Sequence, residues 1–120
     1  VNDKDGTPTY TFDFARNVDL LLRNELWGVY NMVCGGLTSR LEVAQELVSA
    51  LGLADKVKIH EVSSDFFAKE YFAERPPSER LVNRKLNLRG MNVMRDWKVA
   101  LHEYLADAYV GYLDGVEFKR

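Results

Sequence analysis

The sequence holds one cysteine, Cys34, in 120 residues. That excludes an internal disulfide framework and any zinc site built on several cysteines. Prolines number three and glycines eight, so punctuation is sparse. There is no low-complexity segment and no internal repeat. Basic charge is not in excess: 16 Lys and Arg stand against 18 Asp and Glu, for a net charge of −2. A nucleic-acid partner, which needs cations for the phosphate backbone, is therefore not expected. No apolar run nears the roughly 20 residues of a bilayer span. The polar start Val1-Asn-Asp-Lys-Asp5 is no signal peptide. No membrane partner is expected, and the expected location is cytoplasmic. The chain starts without Met and reads as a piece cut from something longer. What is present is a globular profile, 47% hydrophobic and 28% charged. A chain of this length makes one domain and buries roughly two thirds of its unfolded surface.

Along the chain, Val1 to Tyr10 reads as an extended lead-in with a turn at Asp5-Gly6. Phe14, Val18, Leu21, Leu22 and Leu26 follow at helical spacing, with Thr9 or Thr11 as cap and Gly28 as stop. Val29 to Cys34 is a short run of β-prone residues, expected as a buried strand. After the turn Gly35-Gly36-Leu37-Thr38, Ser39 and Glu42 match the capping box. Leu41, Ala44, Leu47, Val48 and Leu51 then form one helical face, over about Arg40 to Leu51, before Gly52. Lys56 to Val62 is expected as a second strand, and Ser63 or Ser64 as the cap of a short helix toward Phe72. A short helix from Arg84 to Arg89 stops at Gly90. Trp97, Leu101, Tyr104, Leu105 and Ala108 mark a C-terminal helix. The alternation of strands and helices indicates α/β. With few strands and several helices, the expectation is a fragment, because two or three strands cannot complete a doubly wound sheet.

Catalytic signatures are missing. No two glycines are spaced by one residue, so no G-x-G-x-x-G exists, and no Tyr precedes a Lys by four positions. His102-Glu103 lacks the second His of a zincin, and no metal site is expected. His60, Asp65 and Ser63 make a triad only on paper and read as solvated loop residues. Cys34, ending an apolar run, reads as a small buried hydrophobe.

One series of blocks carries a resemblance: Asn2-Asp3-x-x-Gly6-Thr7-Pro8-Thr9, Gly28-Val29-Tyr30-Asn31, Gly36-x-Thr38-Ser39-x-x-Glu42-x-Ala44, Arg75-Pro76 with Leu81 and Leu86, and Trp97-x-x-Ala100-Leu101. In order and spacing these resemble the carboxy-terminal portion of the dTDP-4-dehydrorhamnose reductases, extended short-chain dehydrogenases acting on nucleotide sugars. The likeness covers roughly residues 1 to 105. Lys4, Ser78 and Glu79 depart from the family's usual residues. The resemblance implies the last strand and helices of a Rossmann-type domain plus the small substrate lobe. It implies a nucleotide-sugar-binding domain at 1–110, followed by a polar tail at 111–120. The complete enzyme would reduce dTDP-4-dehydro-L-rhamnose to dTDP-L-rhamnose with NADPH or NADH. The cofactor loop and the Tyr/Lys pair would lie in an amino-terminal half, so this chain alone would bind no cofactor and hold no catalytic residue.

Within that reading, Arg75 is the expected partner of the substrate diphosphate, since a guanidinium fork makes paired charge-assisted bonds and Pro76-Pro77 stiffen the segment. Arg80 either assists it or is solvated. Thr7, in Gly6-Thr7-Pro8-Thr9, either shapes the sugar pocket or serves the approach to the first helix. Tyr30, Asn31 and Trp97 are read as structural. Of Phe66, Phe67, Tyr71 and Phe72, some should be exposed. An unpaired sheet edge at Val29 to Cys34 points to a homo-oligomer. A second class of function stays open: a non-catalytic, reductase-like regulatory module, or a fragment of another nucleotide-sugar epimerase or reductase.

Overall fold

The computed structural model describes residues 1–70, 76–111, 114 and 115. Arg75, Tyr71, Phe72 and most of the polar tail lie outside the described residues. The elements run β1 (Asp5–Gly6), α1 (Thr11–Arg23), β2 (Thr38–Ser39), α2 (Arg40–Ala50), a single 3-10 turn (Ser64–Phe67), α3 (Arg84–Leu88) and α4 (Trp97–Ala108). This is a small α/β arrangement with one two-stranded antiparallel sheet, Asp5 opposite Ser39 and Gly6 opposite Thr38.

The helix ends follow local chemistry. The Ser39 hydroxyl accepts from the Glu42 N–H at 3.2 Å, and the Glu42 carboxylate accepts from the Ser39 N–H at 3.0 Å. Both partners of the capping box are therefore made at the start of α2. Ser39→Ala should cost about 1 kcal/mol. A double-mutant cycle with Glu42→Ala should show coupling, because each side chain satisfies the other residue's backbone; strictly additive losses would contradict the reciprocal cap. At its far end α2 closes with Gly52 N–H to Ser49 and Leu53 N–H to Val48, around Gly52 at φ +64°. Gly90 closes α3 in the same way.

The end of α1 corrects the sequence reading. Gly28 does not stop it. The helix ends at Arg23, where Leu26 N–H bonds to Leu21 and Glu25 N–H to Leu22, with Glu25 at φ +53°. A glutamate occupies the left-handed position that glycine usually fills. Neither Thr9 nor Thr11 caps the start; Tyr10 is the N-cap residue and makes no side-chain cap.

The face that α1 buries is also not the expected one. Asp13, Asn17 and Leu21 point inward, while Phe14 and Leu22 are exposed. The polar pair is affordable because each member is fully bonded. Arg95 Nε donates to both oxygens of Asp13 at 2.9 and 3.0 Å, and its Nη2 lies 2.8 Å from Asp13 Oδ1. Asn17 donates to Met91 C=O at 3.1 Å and accepts from Val93 N–H at 3.0 Å. These bonds fasten the segment before α4 to α1.

Neither predicted strand at Val29–Cys34 nor that at Lys56–Val62 forms; both segments lack ladder pairing among the described residues. The first is held by side chains instead. Asn83, buried, donates to Val33 C=O at 2.7 Å and accepts from Val33 N–H at 2.9 Å. Asn31 donates to Val82 C=O at 3.2 Å. The Tyr30 hydroxyl accepts from Arg89 at 2.7 Å, and Lys85 Nζ sits 4.2 Å from the Tyr30 ring centre. Asp5-Gly6, expected as a turn, is a strand because its backbone has a partner in β2.

The core gathers Cys34, Met94, Trp97 and Ala100, ringed by Tyr10, Met32, Val43 and Leu101. Trp97 is thus core, as its spacing indicated. Burial pushes the Cys34 thiol up, which suits a hydrophobe rather than a nucleophile.

On the outer surface α2 meets α4 through Glu46. Its carboxylate accepts from His102 Nε2 at 2.7 Å and lies 3.3 Å from Lys98 Nζ. Bonding to His102, then to Lys98, holds the Glu46 carboxyl below the usual carboxylate range. A lowered folded-state pKa means that the stabilisation is present above the unfolded value and is lost as pH falls through the folded one. Acidification below about pH 4 should therefore weaken this contact. Unfolding titrations of the protein and of Glu46→Gln at pH 7 and pH 3 check it: the gap between the two should shrink at pH 3, and a gap independent of pH would contradict the assignment.

Candidate functional site

The amino-terminal segment is strapped between two neighbours. On one side β1 pairs with β2. On the other, Asp5 N–H bonds to Pro77 C=O at 2.8 Å and Glu79 N–H to Asp5 C=O at 2.9 Å, making a parallel bridge between Asp5 and Ser78. Upstream, Asp3 accepts from the Ser64 N–H and hydroxyl, the latter at 2.7 Å, which holds the Asp3 carboxyl below its usual value. Ser64 therefore spends its hydroxyl on Asp3, and the 3-10 turn that starts there has no side-chain cap.

The Asp5–Ser78 bridge is parallel. Both chains run the same way from the bridge, so the residues two positions on, Thr7 and Arg80, stand at the same end. Sequence reasoning named these two without relating them to each other. Arg80 is exposed, and its guanidinium pairs with no carboxylate among the described residues; its N–H bonds to the Ser78 hydroxyl at 3.3 Å. Thr7 is half-buried, and its hydroxyl donates to Gly36 C=O at 2.7 Å. Arg75 lies outside the described residues.

Gly36 is fixed in turn. Its neighbour Gly35 donates to Arg95 C=O at 2.8 Å and accepts from Trp97 N–H at 3.1 Å. At Gly36 itself φ is +92°, and a Cβ there would stand 2.6 Å from Trp97 Cδ1. Only glycine lets the turn lie on the buried indole.

Asp13, Asn83 and Arg95, which fasten the elements around the core, escaped sequence reasoning. Arg95 also forms a two-pronged pair with Glu103, through Nη1 to Oε2 and through Nη2 to Oε1 at 2.9 Å. Bonding to Glu103 and Asp13 pushes its pKa further up, and bonding to Arg95 pushes Glu103 down. The available signal was the line Asp13, Asn17, Leu21 at intervals of four, which puts two polar groups on the face of an inward leucine.

The paper triad does not assemble: no hydrogen bond joins the side chains of His60, Asp65 and Ser63, and His60 and Asp65 are exposed. Among the described residues no group of three His, Cys, Asp or Glu could hold a metal. None of their helices is long and apolar enough to cross a membrane. An apolar groove of about 370 Å³ runs between α1 and the Val29 segment, lined by Val18, Leu22, Leu26, Trp27 and Met32. Phe66 is exposed and stacks edge-on against Phe67, so the expected exposure of that aromatic group is met at one residue.

Comparison with known proteins places these features in a family. The family model described as RmlD substrate binding domain matches residues 1–110. The spore coat polysaccharide biosynthesis protein SpsK of Bacillus subtilis (strain 168) is 31% identical over 107 residues, which are 89% of this chain and 36% of SpsK. Among solved structures, a dTDP-4-dehydrorhamnose reductase from Clostridium acetobutylicum ATCC 824 superposes with a TM-score of 0.84 at 31% identity, over 92% of this chain and 38% of that one. Another, from Bacillus anthracis str. Ames in complex with NADP, gives 0.81 at 27% identity, over 89% of this chain and 37% of that one. The chain thus spans little more than a third of the length of these relatives.

Proposed function

Since the chain belongs to the RmlD substrate binding domain family, we propose that it is the dTDP-sugar-binding carboxy-terminal part of a dTDP-4-dehydrorhamnose reductase. The observation that carries this reading is the match of a substrate-binding family over residues 1–110. The parallel Asp5–Ser78 bridge, from which Thr7 and Arg80 each lie two residues on, is consistent with it. In this reading residues 1–110 are the binding domain and 111–120 a polar tail. The full-length protein reduces the 4-keto group of dTDP-4-dehydro-L-rhamnose with NADPH or NADH, in the cytoplasm. The neighbour bound to NADP supports that cofactor. The cofactor and the acid/base pair belong to the amino-terminal half, against which the exposed groove beside α1 would pack, and the protein works as a homo-oligomer.

Arg75 and Arg80 hold the diphosphate, with Thr7 on the remainder of the ligand. The diphosphate does not change during the reaction, so contacts to it act on KM more than on kcat. A charge-assisted Arg–phosphate bond is worth about 1.5–3 kcal/mol. In the full-length protein Arg75→Ala should therefore raise KM for the dTDP-sugar by roughly 10- to 100-fold, with kcat less affected. Arg75→Lys should recover part of the loss, and KM for the nicotinamide cofactor should stay put. Steady-state kinetics with each substrate varied in turn checks this; an unchanged KM for the sugar nucleotide would remove Arg75 from the site.

A further inference from the structure

We infer that Thr7 meets its ligand only as a hydrogen-bond acceptor, so the ligand group it selects is an O–H or N–H donor and not a phosphate oxygen. The inference rests on the reading that this edge binds a sugar nucleotide, and it adds the polarity of one contact.

A threonine hydroxyl has one proton to give and lone pairs to receive with. A backbone carbonyl can only accept. The 2.7 Å bond between Thr7 Oγ1 and Gly36 C=O therefore uses the hydroxyl's single proton. The carbonyl is not free to turn away. Gly35 is bonded on both sides, to Arg95 and Trp97, and Gly36 is pressed against the Trp97 indole at φ +92°. Half-exposed Thr7 thus offers lone pairs alone. A phosphate oxygen, itself an acceptor, gains nothing there.

Arg80 is the converse. A guanidinium donates and cannot accept, and this one is exposed and pairs with no carboxylate among the described residues. The parallel Asp5–Ser78 bridge sets the two residues at one end. A donor-only group and an acceptor-only group thus lie on the same side of that bridge, two residues along each chain. A ligand matching it presents an anion to Arg80 and a hydroxyl or N–H to Thr7. In a thymidine diphosphate sugar the donors are the hexose hydroxyls, the deoxyribose 3′-hydroxyl and the thymine N3–H.

The test is calorimetric binding to the full-length protein and its Thr7→Val variant, with inorganic diphosphate, dTDP and dTDP-L-rhamnose as probes. Valine keeps the shape and removes the lone pairs. A neutral hydrogen bond is worth about 0.5–1.5 kcal/mol, so dTDP-L-rhamnose should bind roughly 3- to 10-fold more weakly to Thr7→Val. Inorganic diphosphate should be unchanged within about twofold. If dTDP weakens as well, the donor is on the nucleoside; if only dTDP-L-rhamnose weakens, it is on the hexose. Thr7→Ser should bind like the parent. If Thr7→Val does not fold, the unmodified protein is titrated with N3-methyl, 3′-deoxy and hexose-deoxy analogues. One of these must then lose roughly 3- to 10-fold. Weaker diphosphate binding with Thr7→Val folded, or no loss with any variant or analogue while the parent binds, overturns the inference and leaves the proposed function standing. Failure of the parent to bind dTDP-L-rhamnose overturns both.

Discussion

Arg95→Ala should destabilise the protein by about 3 kcal/mol, the lower end of the 3–5 kcal/mol seen when one partner of a buried ion pair is removed. Asp13 is wholly buried, and among the described residues its close side-chain donors come from Arg95. Arg16 also lies near, but at 3.8 Å it is beyond hydrogen-bonding distance. The lower end is chosen because the Arg95 side chain keeps 28% of its surface in water. Truncation leaves a carboxylate without donors in the interior and also frees Glu103. Arg95→Lys should recover less than half, since an ammonium cannot serve Asp13 and the two-pronged Glu103 pair together. Removing both charges, as in Arg95→Met with Asp13→Leu, should cost less than Arg95→Ala alone. Equilibrium denaturation decides: a loss below about 1 kcal/mol would show that Asp13 finds other partners.

Gly36→Ala should cost about 2–4 kcal/mol, from a backbone that L-residues avoid and from crowding a filled core. The added Cβ would stand 2.6 Å from Trp97 Cδ1 and 2.9 Å from Asp96 Oδ2. Trp97 is 4% exposed and cannot move aside without opening the core. Gly35→Ala is the control. Its Cβ would meet nothing nearer than 3.8 Å, and it should cost well under 1 kcal/mol. The same substitution at Gly36 displaces the carbonyl that holds Thr7, so sugar-nucleotide affinity should fall along with stability. Thermal melts and ligand titrations of both variants separate the two effects. Equal melting temperatures for Gly35→Ala and Gly36→Ala would contradict the packing described.

The helices were legible because their signals are local. Ser39 with Glu42, and Gly52 and Gly90 past the last turns, are a few residues from what they control. The α/β class was legible for the same reason. The strands were not. Val29–Cys34 has β-forming residues, but a strand is defined by its neighbour, and here Asn83 supplies the two backbone bonds that a ladder would have made. No spacing rule announces that an asparagine 50 residues away will do this. Asp5-Gly6 has turn-forming residues yet is a strand, since Ser39 and Ser78 flank it from distant parts of the chain. In α1 the apolar residues were read as inward, whereas Asp13 and Asn17 are buried through partners at Met91, Val93 and Arg95. At the site, residue chemistry singled out Thr7 and Arg80, but what relates them is a bridge joining residues 5 and 78, far apart in the chain. The donor direction at Thr7 depends on a turn carbonyl 29 residues on.

The most direct test of the central claim is turnover by the full-length protein with dTDP-4-dehydro-L-rhamnose and NADPH, followed at the nicotinamide absorbance and by identifying the sugar product. The expected result is stoichiometric cofactor oxidation with dTDP-L-rhamnose formed. Absence of turnover, together with absence of dTDP-L-rhamnose binding by the same folded protein, would contradict it.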